Sequence, residues 1–166
     1  MTRIRRSILP RLLAGALALA GMGPGLAQAS CRDDRVSLRG DWGTARITVE
    51  VADTPQERSQ GLMNVPEMGR FDGMLFVYER PQRVSFWMEN TLIPLDMIFA
   101  DATGTVTRIH ENAIPLDRTA IPGGAGIQFV LEVNGGLSAT LGLTEGTVMR
   151  HPSIPQDAAA WPCAAE

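Results

Sequence analysis

The stretch Asp96-Met97-Ile98-Phe99-Ala100-Asp101-Ala102-Thr103-Gly104-Thr105-Val106-Thr107-Arg108-Ile109-His110-Glu111 decides the fold. Two runs rich in apolar and β-branched residues, 96–102 and 105–111, flank the turn pair Thr103-Gly104. Short strands joined by so tight a turn are antiparallel neighbours. On the N-terminal side, 84–88 alternates, with Val84, Phe86 and Met88 on one face and Ser85 and Trp87 on the other. Residues 73–78 form a compact apolar run, Glu79-Arg80-Pro81 turns the chain, and 46–52 sets Ile47, Val49 and Val51 against Arg46, Thr48 and Glu50. On the C-terminal side, 127–133 points Ile127, Phe129, Leu131 and Val133 inward and Gln128 and Glu132 outward, and 147–150 supplies a last strand. Period-two alternation of this kind marks half-buried strands. Thr54-Pro55-Gln56-Glu57 is a capping box with proline at the first helical position, so a short helix is expected over 55–62. A second is expected over 137–141, stopped by Gly142. Residues 112–126, with Pro115, Pro122 and three glycines, read as a long loop. No βαβ rhythm or internal repeat is present. The expectation is a mainly β domain, a compact antiparallel β-sandwich or barrel with one or two short helices.

The 166 residues divide further. Arg3, Arg5, Arg6 and Arg11 precede an apolar run over 12–20, and Ala27-Gln28-Ala29 offers a small-residue cleavage site. That is the order of a secretory signal peptide, and the apolar run is too short for a mature membrane span. The expected organisation is a signal peptide over 1–29, an N-terminal arm over 30–45, a single β domain over 46–151 and a C-terminal tail over 152–166. Cleavage after about Ala29 would send the protein to the periplasm or outside the cell. All 15 basic residues are arginine. Removing the leader leaves 11 of them against 18 acids, a net charge of −7 rather than −3. That balance argues against a nucleic-acid binder with a basic face. The absence of lysine excludes Schiff-base, P-loop-lysine and Ser–Lys chemistry.

The two cysteines, Cys31 and Cys163, stand near the two ends of the mature chain. In an oxidising compartment an even count points to a disulfide that would tie the tails together. The alternatives are free thiols, or acylation of Cys31 as a lipoprotein, although Gln28 stands where a lipoprotein signal favours leucine.

Several phrases resemble a known family. They are the run from Thr54 to Met63, Asp72-Gly73-Met74-Leu75-Phe76, the run from Ser85 through Trp87, Asn90 and Pro94 to Asp96, Arg108-Ile109-His110-Glu111 and Val130-Leu131-Glu132. Together they are similar to the domain-of-unknown-function family 192, small prokaryotic proteins that often carry signal peptides. The likeness runs from about Val49 to Arg150. It implies a compact, mainly β fold and no particular activity.

Polar residues gather in these phrases. Hairpin register sets Asp96 roughly opposite His110 or Glu111. One corner is therefore expected to hold Trp87, Asn90, Asp96, His110 and Glu111, with Glu132 beside it. Trp87 would stack on a sugar or base, Asn90 would orient a ligand, Asp96 or Glu111 would accept protons and His110 would shuttle them. The alternative is structural: Asn90 and Asp96 satisfying loose backbone amides, and Trp87 packed in the core. Three functions compete. A binding module for a small molecule, glycan, peptide or envelope protein needs no activated nucleophile, and none is found. A carbohydrate hydrolase would use Asp96, His110 and Glu111. A copper protein would draw on Trp87-Met88 and on Met149-Arg150-His151, but Met63, Met74, Met88 and Met97 sit in apolar strand or strand-edge contexts and no zinc-type spacing exists. The binding module is preferred, as a monomer without cofactor or metal and without nucleic-acid partners.

Overall fold

The computed structural model describes residues 31–164, so the expected leader lies outside the described residues. Seven strands and two short helices follow in the order β1 (Arg35–Gly40), β2 (Gly43–Ala52), α1 (Pro55–Gln60), β3 (Asp72–Phe86), β4 (Leu95–Ala100), β5 (Val106–Ala113), β6 (Ile121–Asn134), α2 (Leu137–Leu141) and β7 (Val148–Arg150). They form one sheet in the order β5-β4-β6-β3-β2-β1-β7. Every pairing is antiparallel except β2 with β3, which run parallel because α1 and its loop carry the chain back across the sheet. The sheet curls until its two edges touch. Thr105 bridges Val148, the Val106 N–H donates to the Thr147 carbonyl at 2.8 Å, and the Met149 N–H donates to Gly104 at 2.8 Å. The mainly β expectation stands, as a mixed curled sheet approaching a barrel.

Alternation assigns each face its core. Val36, Leu38, Ile47, Val49, Leu75, Ile98, Leu131 and Met149 fill the inside of the curl. Phe76, Met88, Met97, Phe99 and Val130 form a second core on the opposite face, closed by Leu62 after α1 and by Ile93. α1 starts as its capping box dictates. The Glu57 N–H donates to the Thr54 hydroxyl at 3.2 Å, and the Thr54 N–H to the Glu57 carboxyl at 3.0 Å.

The structure corrects three local readings. Residues 35–40, expected inside an irregular arm, are β1: Val36 and Leu38 point inward, and the intervening Arg35, Ser37 and Arg39 disguise the alternation. Residues 73–86 are one strand rather than two around a turn. Pro81 lies where the register with β6 breaks between Val77 and Gln82, so its missing N–H leaves no ladder bond unmade. The latter part of the expected loop 112–126 is the start of β6. Gly123 there packs so closely that a Cβ would lie 2.4 Å from the Phe99 ring.

The two tails are joined. Cys31 and Cys163 form a disulfide with Cα atoms 5.3 Å apart. His151 bridges the same ends, its Nε2 at 2.9 Å from the Asp33 carbonyl and its Nδ1 accepting from the Ser153 N–H at 3.1 Å. Among the described residues no helix is long and apolar enough to cross a membrane. Closing a loop of 132 residues restricts the unfolded chain, so Cys163→Ser is expected to lower unfolding free energy by about 2–5 kcal/mol. Chemical denaturation of the oxidised protein and the variant measures it.

Candidate functional site

Glu132 is the unusual group. It lies on β6, flanked directly across the sheet by Met74 of β3 and Met97 of β4. It is only 4% exposed and makes no hydrogen bond or ion pair among the described residues. Burial disfavours the charged form, and the carboxyl is pushed up to about 8. Near neutral pH it therefore keeps its proton and is a hydrogen-bond donor as well as an acceptor.

This carboxyl borders a cleft of about 260 Å³. Phe76, Phe86 and Leu62 give the cleft apolar walls, and Trp87 stands at it half exposed, at 51%. The Phe86 ring meets Phe76 edge-on at 5.1 Å and Phe99 at 5.8 Å, which fixes that wall. Tyr78 also lines the cleft. Its hydroxyl is raised by burial, opposed by the positive charge of Arg58 and raised further by Glu132. Arg58, on the last turn of α1, lies 5.0 Å from the Tyr78 ring centroid. It is anchored by donating to the Val77 carbonyl at 2.9 Å and to the Asp53 carbonyl. At the edge of the cleft Glu89 pairs with Arg118 at 2.7 Å. Tyr78 and Arg58 were not among the residues picked from sequence. The capping box, which sets Arg58 on α1, was the available signal for one; none marked the other.

The other expected site residues are dispersed. Asp96 is fully buried. Its Oδ1 accepts from the Asn112 N–H at 2.8 Å and the Gly136 N–H at 2.9 Å, and its Oδ2 accepts from Ser138 at 2.7 Å. Gly136 is the N-cap of α2 and offers no side chain, so Asp96 serves the loose N–H groups from a neighbouring strand. Met97 pairs with His110, which puts His110 on the face of Met97 and Glu132 and Asp96 on the other. A register shift between Leu95 and Met97 makes Asp96 face the bulge at 111–112. Asp96 and His110 are thus on adjacent strands but opposite faces. His110 and Glu111 border a separate hollow of about 290 Å³ with Met88, Ile114 and Ile121. Asn90 takes a left-handed conformation (φ 55°), its carbonyl accepts from the Asn64 N–H at 2.8 Å, and its amide lies 3.9 Å from the Met63 sulfur, so it holds a turn. Of the six candidates, only Trp87 and Glu132 share the cleft. The copper pairing also loses its imidazole: both ring nitrogens of His151 are engaged by backbone, and Met149 is buried in the inner core.

Two outcomes follow. Asp96→Ala strands three backbone donors and is expected to cost on the order of 3 kcal/mol or more, read from the denaturation midpoint. For Glu132 the folded chain keeps a proton that the unfolded chain, with an ordinary value of 4.5, releases. Its contribution is therefore fully present below 4.5 and is lost as pH rises towards about 8, by up to about 1.4 kcal/mol per pH unit. Glu132→Gln should gain on wild type across that window and the gain should level off above it. Burial of His151 acts oppositely, lowering its value and costing stability as pH falls below 6.5, and it cancels in the difference.

A family model described as "Uncharacterized ACR, COG1430" (DUF192) matches residues 36–151. No curated protein matches the chain. Solved structures similar to this chain include two. A protein of unknown function from Novosphingobium aromaticivorans DSM 12444 is 40% identical with a TM-score of 0.68, covering 69% of this chain and 82% of that one. A suggested transcription regulator from Sinorhizobium meliloti 1021 is 40% identical with a TM-score of 0.69, covering 72% and 94%.

Proposed function

Because the chain belongs to the domain-of-unknown-function family 192, whose description carries no activity, we propose from the site itself that the protein is an exported binding module for a neutral, hydroxyl-rich ligand, a sugar unit of a glycan. The observation that carries this reading is Glu132: a buried carboxyl with no charged partner among the described residues, bordering a cleft that an exposed tryptophan also lines. An aromatic face suits the apolar side of a pyranose ring, and a protonated carboxyl with a tyrosine hydroxyl suits its oxygens. A charged ligand fits less well, since the two charged groups at the cleft are already engaged, Arg58 over the Tyr78 ring and Glu89 with Arg118.

Binding is favoured over hydrolysis for a geometric reason. Glycosidic cleavage uses two carboxyl groups flanking the scissile bond. Asp96, the expected partner, is engaged by three N–H groups on the far face, and Glu89 is paired with Arg118. Export is supported by the leader-like first 29 residues and by the disulfide, which persists in oxidising compartments. The periplasm or the cell exterior is the proposed location.

Thermal shift with a panel of neutral oligosaccharides and muropeptides, coupled to product analysis, tests the proposal. Stabilisation without turnover is expected, weakened about tenfold or more by Trp87→Ala. Wild-type affinity should fall above pH 8, where Glu132 ionises, while Glu132→Gln should hold its affinity there. Release of reducing ends would make the protein a hydrolase. A shift with copper alone, lost in Met88→Ala, would make it a metal-binding protein. No shift with any sugar would reject the reading.

A further inference from the structure

The outer face of β2, β1 and β7 collects arginine. Residues opposite one another across antiparallel strands share a face with side chains about 5 Å apart. One row reads Arg46, Ser37, Arg150, and the next reads Thr44, Arg39, Val148. Arg35 follows on β1, opposite Thr48. Four of the eleven arginines among the described residues thus stand on one patch of a chain rich in acids. The first two rows carry no acid, which appears only at Asp72 beside Thr48. Arg39 and Arg46 make no salt bridge among the described residues.

The C-terminal tail completes the patch. Trp161 packs over it at 9% exposure, with the Arg39 guanidinium 4.3 Å and the Arg150 guanidinium 4.7 Å from its ring centroid. Stacking on an aromatic face orients the Arg39 guanidinium while leaving its N–H edge for an acceptor. The indole N–H of Trp161 is itself buried and has no acceptor among the described residues. Ser37, Thr44, Arg46, Arg150 and Trp161 line a hollow of about 430 Å³.

We propose that this hollow binds the phosphate group of a small soluble ligand. The Arg46 guanidinium lines the hollow and the Arg39 guanidinium, one row on, stacks on the Trp161 that walls it; the two repel one another, and a dianion between them removes that repulsion while accepting paired N–H bonds. The Ser37 and Thr44 hydroxyls supply neutral donors to the remaining oxygens. A soluble ligand fits better than a bilayer, because the hollow is concave and the chain as a whole is acidic, which anionic lipid repels. The site is separate from the Glu132 cleft and does not depend on the glycan reading.

Titration of inorganic phosphate into the purified protein at low ionic strength, followed by calorimetry and tryptophan fluorescence, tests it. Saturable binding is expected, weakened about tenfold or more in Arg46→Gln and in Arg39→Ala. It should be unchanged in Arg83→Gln, an exposed arginine elsewhere, and in Glu132→Gln. Absence of saturable binding, or an equal loss in Arg83→Gln, overturns the proposal. So does binding confined to phosphatidylglycerol vesicles or to duplex DNA with none to free phosphate. Because Arg46 is exposed, its variant is expected to fold, and an unchanged melting temperature verifies it.

Discussion

Strand β6 is buried on both faces from Ile127 to Val133, so the alternation that elsewhere separates core from solvent has no solvent side to use there. Phe129, Leu131 and Val133 belong to the inner core, and Ile127 and Val130 to the second core on the other face. A carboxyl group at position 132 has nowhere to go but between Met74 and Met97. Its desolvation, its retained proton and its place beside a cleft all descend from that one packing fact. The same double burial requires material on the outer face, which Leu62 and the loop after α1 provide together with the segment around Met88 and Ile93. Those covering pieces adjoin Arg58 and Trp87, and Leu62 and Phe76 belong both to the second core and to the wall of the cleft.

Much of this architecture is legible from pattern alone. The hairpin of β4 and β5, the capping box of α1 and the glycine stop of α2 depend on short-range chemistry and were placed within a few residues of their observed ends. Features that depend on what covers a strand were not. Gln128 and Glu132 occupy the outward positions of an alternating strand, and only the layer above makes them buried. Likewise, β1 alternates, but arginine at its outward positions resembles a polar arm until its neighbours β2 and β7 are known.

Asp96 and His110 show a sharper limit of register arguments. The hairpin does bring their strands together, yet one extra residue opposite Asp96 changes which partner shares its face. Because side chains alternate with a period of two, a single-residue bulge separates groups that a simple hairpin would join. The polar phrase around Asp96 is thus explained by backbone satisfaction: one carboxyl group joins the end of β5 to the start of α2. Polar residues clustered in a sequence phrase are as well explained by such anchoring as by chemistry, and burial with a full set of partners distinguishes the two. Asp96 has its partners, whereas Glu132 makes no hydrogen bond among the described residues.

The disulfide acquires a second consequence from this comparison. Residues 36–151 match the family, so Cys31 and the tail bearing Trp161 and Cys163 are additions to the shared domain. Cys163 lies two residues beyond Trp161, and the cross-link holds the tail where the indole meets Arg39 and Arg150. The Trp161 ring of this tail lies against the Arg39 and Arg150 guanidinium groups and orients them. Stapling the termini and shaping the basic hollow are therefore one structural event, and the edge of the sheet that the additions cover becomes a surface distinct in charge from the rest of the molecule.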